Sequence, residues 1–119
     1  MPAARPWWTS LRTVLAAIRP ACDATGVFVQ IDHVGRPASA GTQPEAQRAR
    51  NVVQVVRAGH LDQVLLSMDI CANSQLHWNG GHGYDYLIKE FVPLLYHEGL
   101  TEAEVRTLLI DNPRRALAF

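Results

Sequence analysis

An apolar run that ends on a single acid, V-L-L-S-M-D over Val64–Asp69, constrains the fold more than any other stretch. An unbroken run of this length is typical of a strand covered on both faces, as in a parallel sheet. Chemistry in such sheets is placed just past the carboxyl end of a strand. Asp69 stands there, and we predict either a metal ligand or general base, or an aspartate that only shapes the following turn.

A second strand is predicted over Val27–Ile31, which is rich in β-branched and aromatic residues. It also ends on an acid, Asp32, which His33 follows directly. If the two strands are neighbours, their carboxyl ends meet at one edge, and an Asp–His proton relay becomes possible. The alternative is a half-exposed loop histidine that makes one backbone hydrogen bond.

Helical periodicity covers most of the remaining chain. Residues 1–9 are predicted to be irregular, and helices are predicted over residues 11–18, 42–59, 84–98 and 101–111. Capping boxes pair Thr42 with Glu45 and Thr101 with Glu104, Gly59 is the expected end of the second helix, and Pro93 should kink the third. The pair Asn112-Pro113 should break the last helix.

The second predicted helix is amphipathic, with valines on one side and Arg48 on the other. Strands that alternate with helices indicate right-handed β-α-β units on a parallel sheet. Two strands are too few to form a covered sheet, so we expect the chain to be a piece of a larger β/α architecture.

Composition excludes several classes of function. Lys+Arg number 11 and Asp+Glu 11, so the charge balance gives no footprint for nucleic acid or an anionic membrane surface. No apolar run approaches the length of a membrane span. Cys22 and Cys71 show no metal-ligand spacing, and we interpret them as buried, reduced thiols of a cytoplasmic protein, with a disulfide as the alternative.

The segment after Asp69 has the composition of a substrate-facing loop. It carries Trp78 and His82, with His77 and Tyr84 beside them. Binding groups concentrate on loops that a rigid scaffold holds, although a mobile surface loop explains the same residues equally well. Its glycines do not form a phosphate-binding fingerprint, and no Ser or Cys stands in a nucleophile elbow.

Several separated segments resemble the C-terminal part of the phosphotriesterase family, which are zinc-type metallohydrolases of the amidohydrolase superfamily. The resemblance covers roughly residues 10–119, which we take as a partial metallohydrolase domain. Its segments are I-D-H-V-G-R-P (Ile31–Pro37), R-A-G-H-L-D-Q-V-L-L-S-M-D (Arg57–Asp69), G-G-H-G-Y-D-Y-L (Gly80–Leu87), F-V-P-L-L (Phe91–Leu95) and L-I-D-N-P-R-R-A-L-A-F (Leu109–Phe119).

The resemblance implies a TIM (β/α)8 barrel of which this chain supplies about the last two β/α units. It implies two divalent metals, expected to be zinc, that activate water against an ester, lactone or phosphotriester. Asp69 matches the family's aspartate at the end of the eighth strand, a metal ligand that also handles the proton of the attacking water. His33 matches a histidine that relays this proton, and the loop with Trp78 and His82 matches the one that shapes substrate choice.

Other parts of the family's metal site have no counterpart here. The sequence contains no H-x-H, and the family's bridging lysine and two further histidine ligands belong to strands that are not found in it. One ligand cannot hold a metal, so we expect the isolated chain to be inactive and free of stoichiometric zinc. It would then be a truncated product, a gene-model fragment or half of a split enzyme that needs the missing N-terminal half. The alternative is a non-catalytic remnant that self-associates or docks to a longer relative.

Overall fold

Two parallel strands form the sheet in the computed structural model, which describes residues 27–35 and 44–118. Strand β1 (Val29–Ile31) pairs with β2 (Val64–Leu66), and Val29 lies opposite Val64 while Ile31 lies opposite Leu66. The predicted parallel pairing is confirmed. Both strands are shorter than predicted, since regular pairing stops after Leu66, although the Ser67 N–H still donates to the Ile31 carbonyl at 3.0 Å.

Helix α1 (Glu45–Val55) connects the strands and continues through a wider π-helical turn (Val56–His60) and a 3-10 turn (Leu61–Gln63). Gly59 has a φ of 98° and ends the helix as predicted. The predicted cap residue Thr42 lies outside the described residues, as do residues 1–9, the first predicted helix and Cys22.

The expectation that Arg48 faces solvent is wrong. Its side chain is 0% exposed, because Nη1 donates to Oε1 of Glu45 at 2.7 Å and the ion pair is taken into the interior. Helical periodicity assigns a charged residue to the outer face unless a partner inside the protein neutralises it.

After β2 the chain forms two short 3-10 turns (Asn73–Gln75 and His77–Asn79) and then a helical C-terminal region. This region begins later than predicted. It consists of a π-helical turn (Leu87–Phe91), α2 (Val92–His97), α3 (Glu102–Arg106), a second π-helical turn (Thr107–Asp111) and α4 (Asn112–Ala116).

The capping box at the start of α3 is confirmed, and the predicted break at Asn112-Pro113 is wrong. The Glu104 N–H donates to Thr101 Oγ1 at 3.2 Å, and the Thr101 N–H donates to Glu104 Oε1 at 3.0 Å. Helical backbone continues across Asn112, whose N–H donates to the carbonyl of Thr107, five residues back. This wider hydrogen bond precedes Pro113, which has no N–H of its own to place.

Pro93 follows a turn of the same kind. The Val92 N–H donates to the carbonyl of Leu87, again five residues back, and helix α2 then begins with Pro93 in its first turn. A wider turn directly before each proline therefore lets the chain remain helical where local preference favours a break.

One hydrophobic core joins α1, β2 and the C-terminal helices. Its fully buried members are Val34, Ala49, Val52, Val55, Val64, Phe91, Leu95 and Leu108. Burial of these apolar side chains is the main favourable term that holds the described part together. Among the described residues, no helix is long and apolar enough to cross a bilayer.

Candidate functional site

The two strand ends bring together the three residues that we call the carboxyl-edge cluster: Asp32, His33 and Asp69. Nε2 of His33 lies 3.3 Å from Oδ2 of Asp69 and 3.9 Å from Oδ2 of Asp32. The pairing of Ile31 with Leu66 produces this arrangement, because both chains leave the sheet at the same edge. The side chains are between 35% and 50% exposed, so solvent reaches all three.

The backbone is strained at two members of this cluster. His33 has a φ of 63° and Asp69 a φ of 50°, which are left-handed conformations that side chains with a Cβ rarely adopt. Each costs about 1–2 kcal/mol and persists only where the surroundings hold it. At Asp32 a carboxylate oxygen accepts from the His33 N–H at 2.7 Å, which helps to fix the turn.

The donor set of the cluster fits a divalent metal. One donor atom from each of the three residues lies within 4.8 Å of the others. Carboxylate oxygen and imidazole nitrogen are ligand types that zinc accepts, and all three side chains are partly exposed. In the described part of the chain, this is the group of metal-ligating side chains that satisfies these distances.

Trp78 and His82, which the sequence suggests for substrate binding, occupy different environments. Trp78 is 84% exposed and lines a cavity of about 370 Å³ together with Leu76, His77, Gly83, Tyr84 and Asp85. His82 is half-buried and packs edge-on against Tyr86, with ring centroids 5.7 Å apart. Neither side chain contributes a donor to the carboxyl-edge cluster.

An ion-pair chain that sequence reasoning missed fixes this loop to the helical region that follows it. Asp85 receives hydrogen bonds from Nζ of Lys89, at 2.7 Å, and from Nε2 of His77. The bonds from Lys89 and His77 lower the pKa of Asp85 to about 2. The i,i+4 spacing of Asp85 and Lys89 is the sequence signal that could have indicated half of this arrangement.

A second missed arrangement surrounds Glu45. Its carboxylate lies between Arg48, the backbone of Gly35 and the hydroxyl of Tyr86. Burial, followed by the neighbouring charge of Glu45, raises the pKa of Tyr86 to about 12. The Glu45–Arg48 spacing was visible in the sequence, but the contacts to Gly35 and Tyr86 carry no local signal.

Two further residues lie outside the carboxyl-edge cluster. His60 is buried, and its Nδ1 lies 2.9 Å from Oε1 of Gln63, so its contacts are structural. Cys71 is exposed, so the expectation of a buried thiol is wrong at this position. The chain has left the sheet after Asp69, and no core remains there to cover the sulfur.

Relatives share this arrangement of elements over part of their length. The phosphotriesterase homology protein of Escherichia coli (strain K12) is 39% identical over 88 residues, which are 74% of this chain and 29% of that protein. A crystal structure of an E. coli protein of that name, with phosphate in the active site, matches with a TM-score of 0.76 and 37% identity, covering 85% of this chain and 33% of that one.

Two more relatives carry different names. An N-acetyltaurine hydrolase from Salmo salar is 35% identical over 75 residues, which are 63% of this chain and 22% of that protein. The structure of a lactonase from Listeria monocytogenes matches with a TM-score of 0.74 and 27% identity, covering 91% of this chain and 34% of that one. The chain thus spans about a third or less of the length of these proteins.

The family pattern described as "Phosphotriesterase family" matches residues 17–117, and this range includes all three residues of the carboxyl-edge cluster. Since the match takes in most of the 119 residues, the chain belongs to the phosphotriesterase family.

Proposed function

We propose that this chain contributes the last two β/α units of a TIM-barrel, metal-dependent hydrolase of the phosphotriesterase or lactonase type. The observation that carries the proposal is the 3.3 Å separation of His33 Nε2 and Asp69 Oδ2 at the carboxyl edge of a parallel strand pair. This edge is where β/α proteins place their catalytic groups. Family membership supplies the reaction class, hydrolysis by an attacking water.

Asp69 is proposed as a metal ligand and proton acceptor. A divalent metal, expected to be zinc, would supply Lewis acidity and make water nucleophilic at neutral pH. The Asp69 carboxylate would hold this metal and accept the proton of the attacking water. His33 lies within reach of this carboxylate and receives the proton from it, and its exposed ring passes the proton to Asp32 or to solvent.

Trp78 and His82 are proposed to bind substrate. The exposed indole of Trp78 and the cavity beside it offer apolar surface to an ester, lactone or phosphotriester substituent. The names of the relatives include a lactonase and an N-acetyltaurine hydrolase, and both support hydrolysis as the reaction class.

The test is a fusion of residues 10–119 to the N-terminal two thirds of the E. coli phosphotriesterase homology protein, loaded with zinc. We expect this protein to hydrolyse a lactone or an aryl phosphotriester and the isolated chain to do neither. D69N should lower kcat/KM of the fusion by about 100-fold or more, since a ligand and a proton acceptor are lost together. H97Q, which changes an exposed histidine at the end of α2, is the matched control.

The proposal fails if D69N and H97Q give the same rates in an active fusion. It also fails if the isolated chain holds a stoichiometric metal and turns over substrate, because its own residues would then complete a site without further strands.

A second candidate is association without catalysis, either with another copy or with a longer relative. It is favoured by the exposure of Val27, 43%, and Phe28, 37%, which lead into a sheet that has two strands in the described part. Light scattering on the purified chain tests it. A metal-free oligomer of the isolated chain, together with an inactive fusion, supports association, whereas a monomer contradicts self-association.

A further inference from the structure

We propose that Glu45 is a positioning residue that holds His33 against Asp69. This inference rests on the proposed function, in which His33 relays a proton. Glu45 is the first residue of α1, and its side chain is 19% exposed. Oε1 is engaged by Arg48 on the same helix, and Oε2 by Gly35 and Tyr86 from other parts of the chain.

The first contact reaches the turn that carries His33. The Gly35 N–H, two residues after His33, donates to Oε2 of Glu45 at 3.0 Å. The neighbouring Val34 N–H donates to the carbonyl of Ser67 at 3.0 Å, so this turn is tied to α1 and to the end of β2. With both amides held, His33 has little freedom to leave its left-handed conformation.

The second contact links the same carboxylate to the loop that follows β2. The Tyr86 hydroxyl donates to Oε2 of Glu45 at 3.2 Å. A Cβ built on Gly35 would lie 2.7 Å from Cδ2 of His82 and 3.0 Å from Cδ1 of Tyr86, so these two rings close directly over the turn. The proposed substrate loop and the His33 turn therefore share one carboxylate.

The third contact fixes the carboxylate itself. Arg48 is 0% exposed, and its Nη1 donates to Oε1 of Glu45 at 2.7 Å. A charge-assisted bond of this kind in a buried setting keeps the Glu45 carboxylate in one orientation. The chain of contacts then runs from buried Arg48 through Glu45 to the Gly35 amide and the strained His33.

The experiment compares three variants of the full 119-residue chain with the wild type by NMR. A residue with positive φ gives a strong NOE between its own amide proton and Hα, and His33 should show one in the wild type. E45Q should abolish this NOE at His33 while signals from the core residues Val105 and Leu108 remain dispersed. The double variant E45A/R48M, which removes the buried charge together with the carboxylate, should do the same.

E104Q is the matched control. Glu104 also accepts from an arginine, Arg57 at 2.6 Å, and from a backbone amide, that of Thr101 at 3.0 Å, but on a different element. It should leave the NOE of His33 unchanged. Retention of that NOE in E45Q and E45A/R48M overturns the proposal, as does its loss in E104Q. General loss of dispersion in both Glu45 variants overturns it too, because the carboxylate would then support the whole fold.

Kinetics in the fusion protein separate this proposal from the proposed function. E45Q should lower kcat by about 10- to 100-fold and raise KM by a smaller factor, since the carboxylate holds the turn of the proton relay directly and reaches the substrate loop only through Tyr86. If the wild-type fusion is inactive and E45Q nevertheless abolishes the His33 NOE in the full chain, the proposed function is contradicted and the positioning role is supported. An active fusion in which E45Q changes KM alone contradicts the positioning role.

Discussion

Asn112 should be one of the most costly polar residues to remove from this chain. Its side chain is 0% exposed, and Nδ2 donates to the carbonyls of Leu61 and Val64, each at 2.7 Å. Its Oδ1 accepts from Arg115. These bonds attach α4 to the segment that enters β2, at the end of the strand opposite Asp69.

The magnitude for N112A follows from the two carbonyls that lose their donor. A buried acceptor left unsatisfied costs about 1–3 kcal/mol, and the half-buried Leu61 carbonyl belongs at the lower end of that range. The better helix propensity of alanine offsets about 0.5 kcal/mol of this loss of stability. We expect a net loss of about 2–4 kcal/mol, a large fraction of the roughly 5–15 kcal/mol that stabilises a typical domain.

Urea unfolding followed by circular dichroism, at one fixed protein concentration, measures this loss. N79A is the matched control, because Asn79 Nδ2 donates to the Asn73 carbonyl at 2.8 Å in an exposed loop. We expect N79A to change the free energy of unfolding by less than about 0.5 kcal/mol. Equal effects of the two substitutions, with unchanged m-values, would refute the view that Asn112 clamps α4 to β2.

Two further substitutions test contacts near the loop. Because the pKa of Asp85 is lowered from 3.8 to about 2 in the folded protein, its ionised carboxylate stabilises the fold above pH 3.8, and this stabilisation is lost as the pH falls towards 2. D85N should remove it, so the free energies of unfolding of D85N and the wild type should converge as the pH falls from 3.8 to 2. G35A should lower the melting temperature more than G59A. Both glycines have positive φ, but only at Gly35 would a Cβ meet side chains, those of His82 and Tyr86. Equal decreases in melting temperature would contradict the close packing of these rings over Gly35.

The pairing of the strands and the position of the site could be predicted from local patterns. The apolar run before Asp69 and the β-branched run before Asp32 each indicate a buried strand, and a parallel pair brings their ends to one edge. The structure confirms this, with His33 between the two acids. Once the two strands are taken as neighbours, no knowledge of distant contacts is needed, because the carboxyl ends of parallel strands lie at the same edge of a sheet.

The buried ion pair could not be predicted in the same way. Periodicity places Arg48 outside, whereas the structure buries it beside Glu45, and the Tyr86 hydroxyl that shares this carboxylate lies 41 residues away in sequence. The continuity of the last helices was missed for a related reason. Pro113 predicts a break from its own chemistry, and the five-residue hydrogen bond that accommodates it has no signature in composition.

Backbone strain is concentrated at two members of the carboxyl-edge cluster. His33 and Asp69 both hold left-handed backbone directly after a strand, where glycine would adopt the same φ without the steric penalty of a Cβ. A chain optimised for stability alone would therefore favour glycine at both places. Glycine would also remove the imidazole and the carboxylate that lie 3.3 Å apart. Under the proposed function, the strain at these two positions is the energetic cost of presenting an imidazole and a carboxylate at one sheet edge, and we propose that the contacts of Glu45 sustain it at His33.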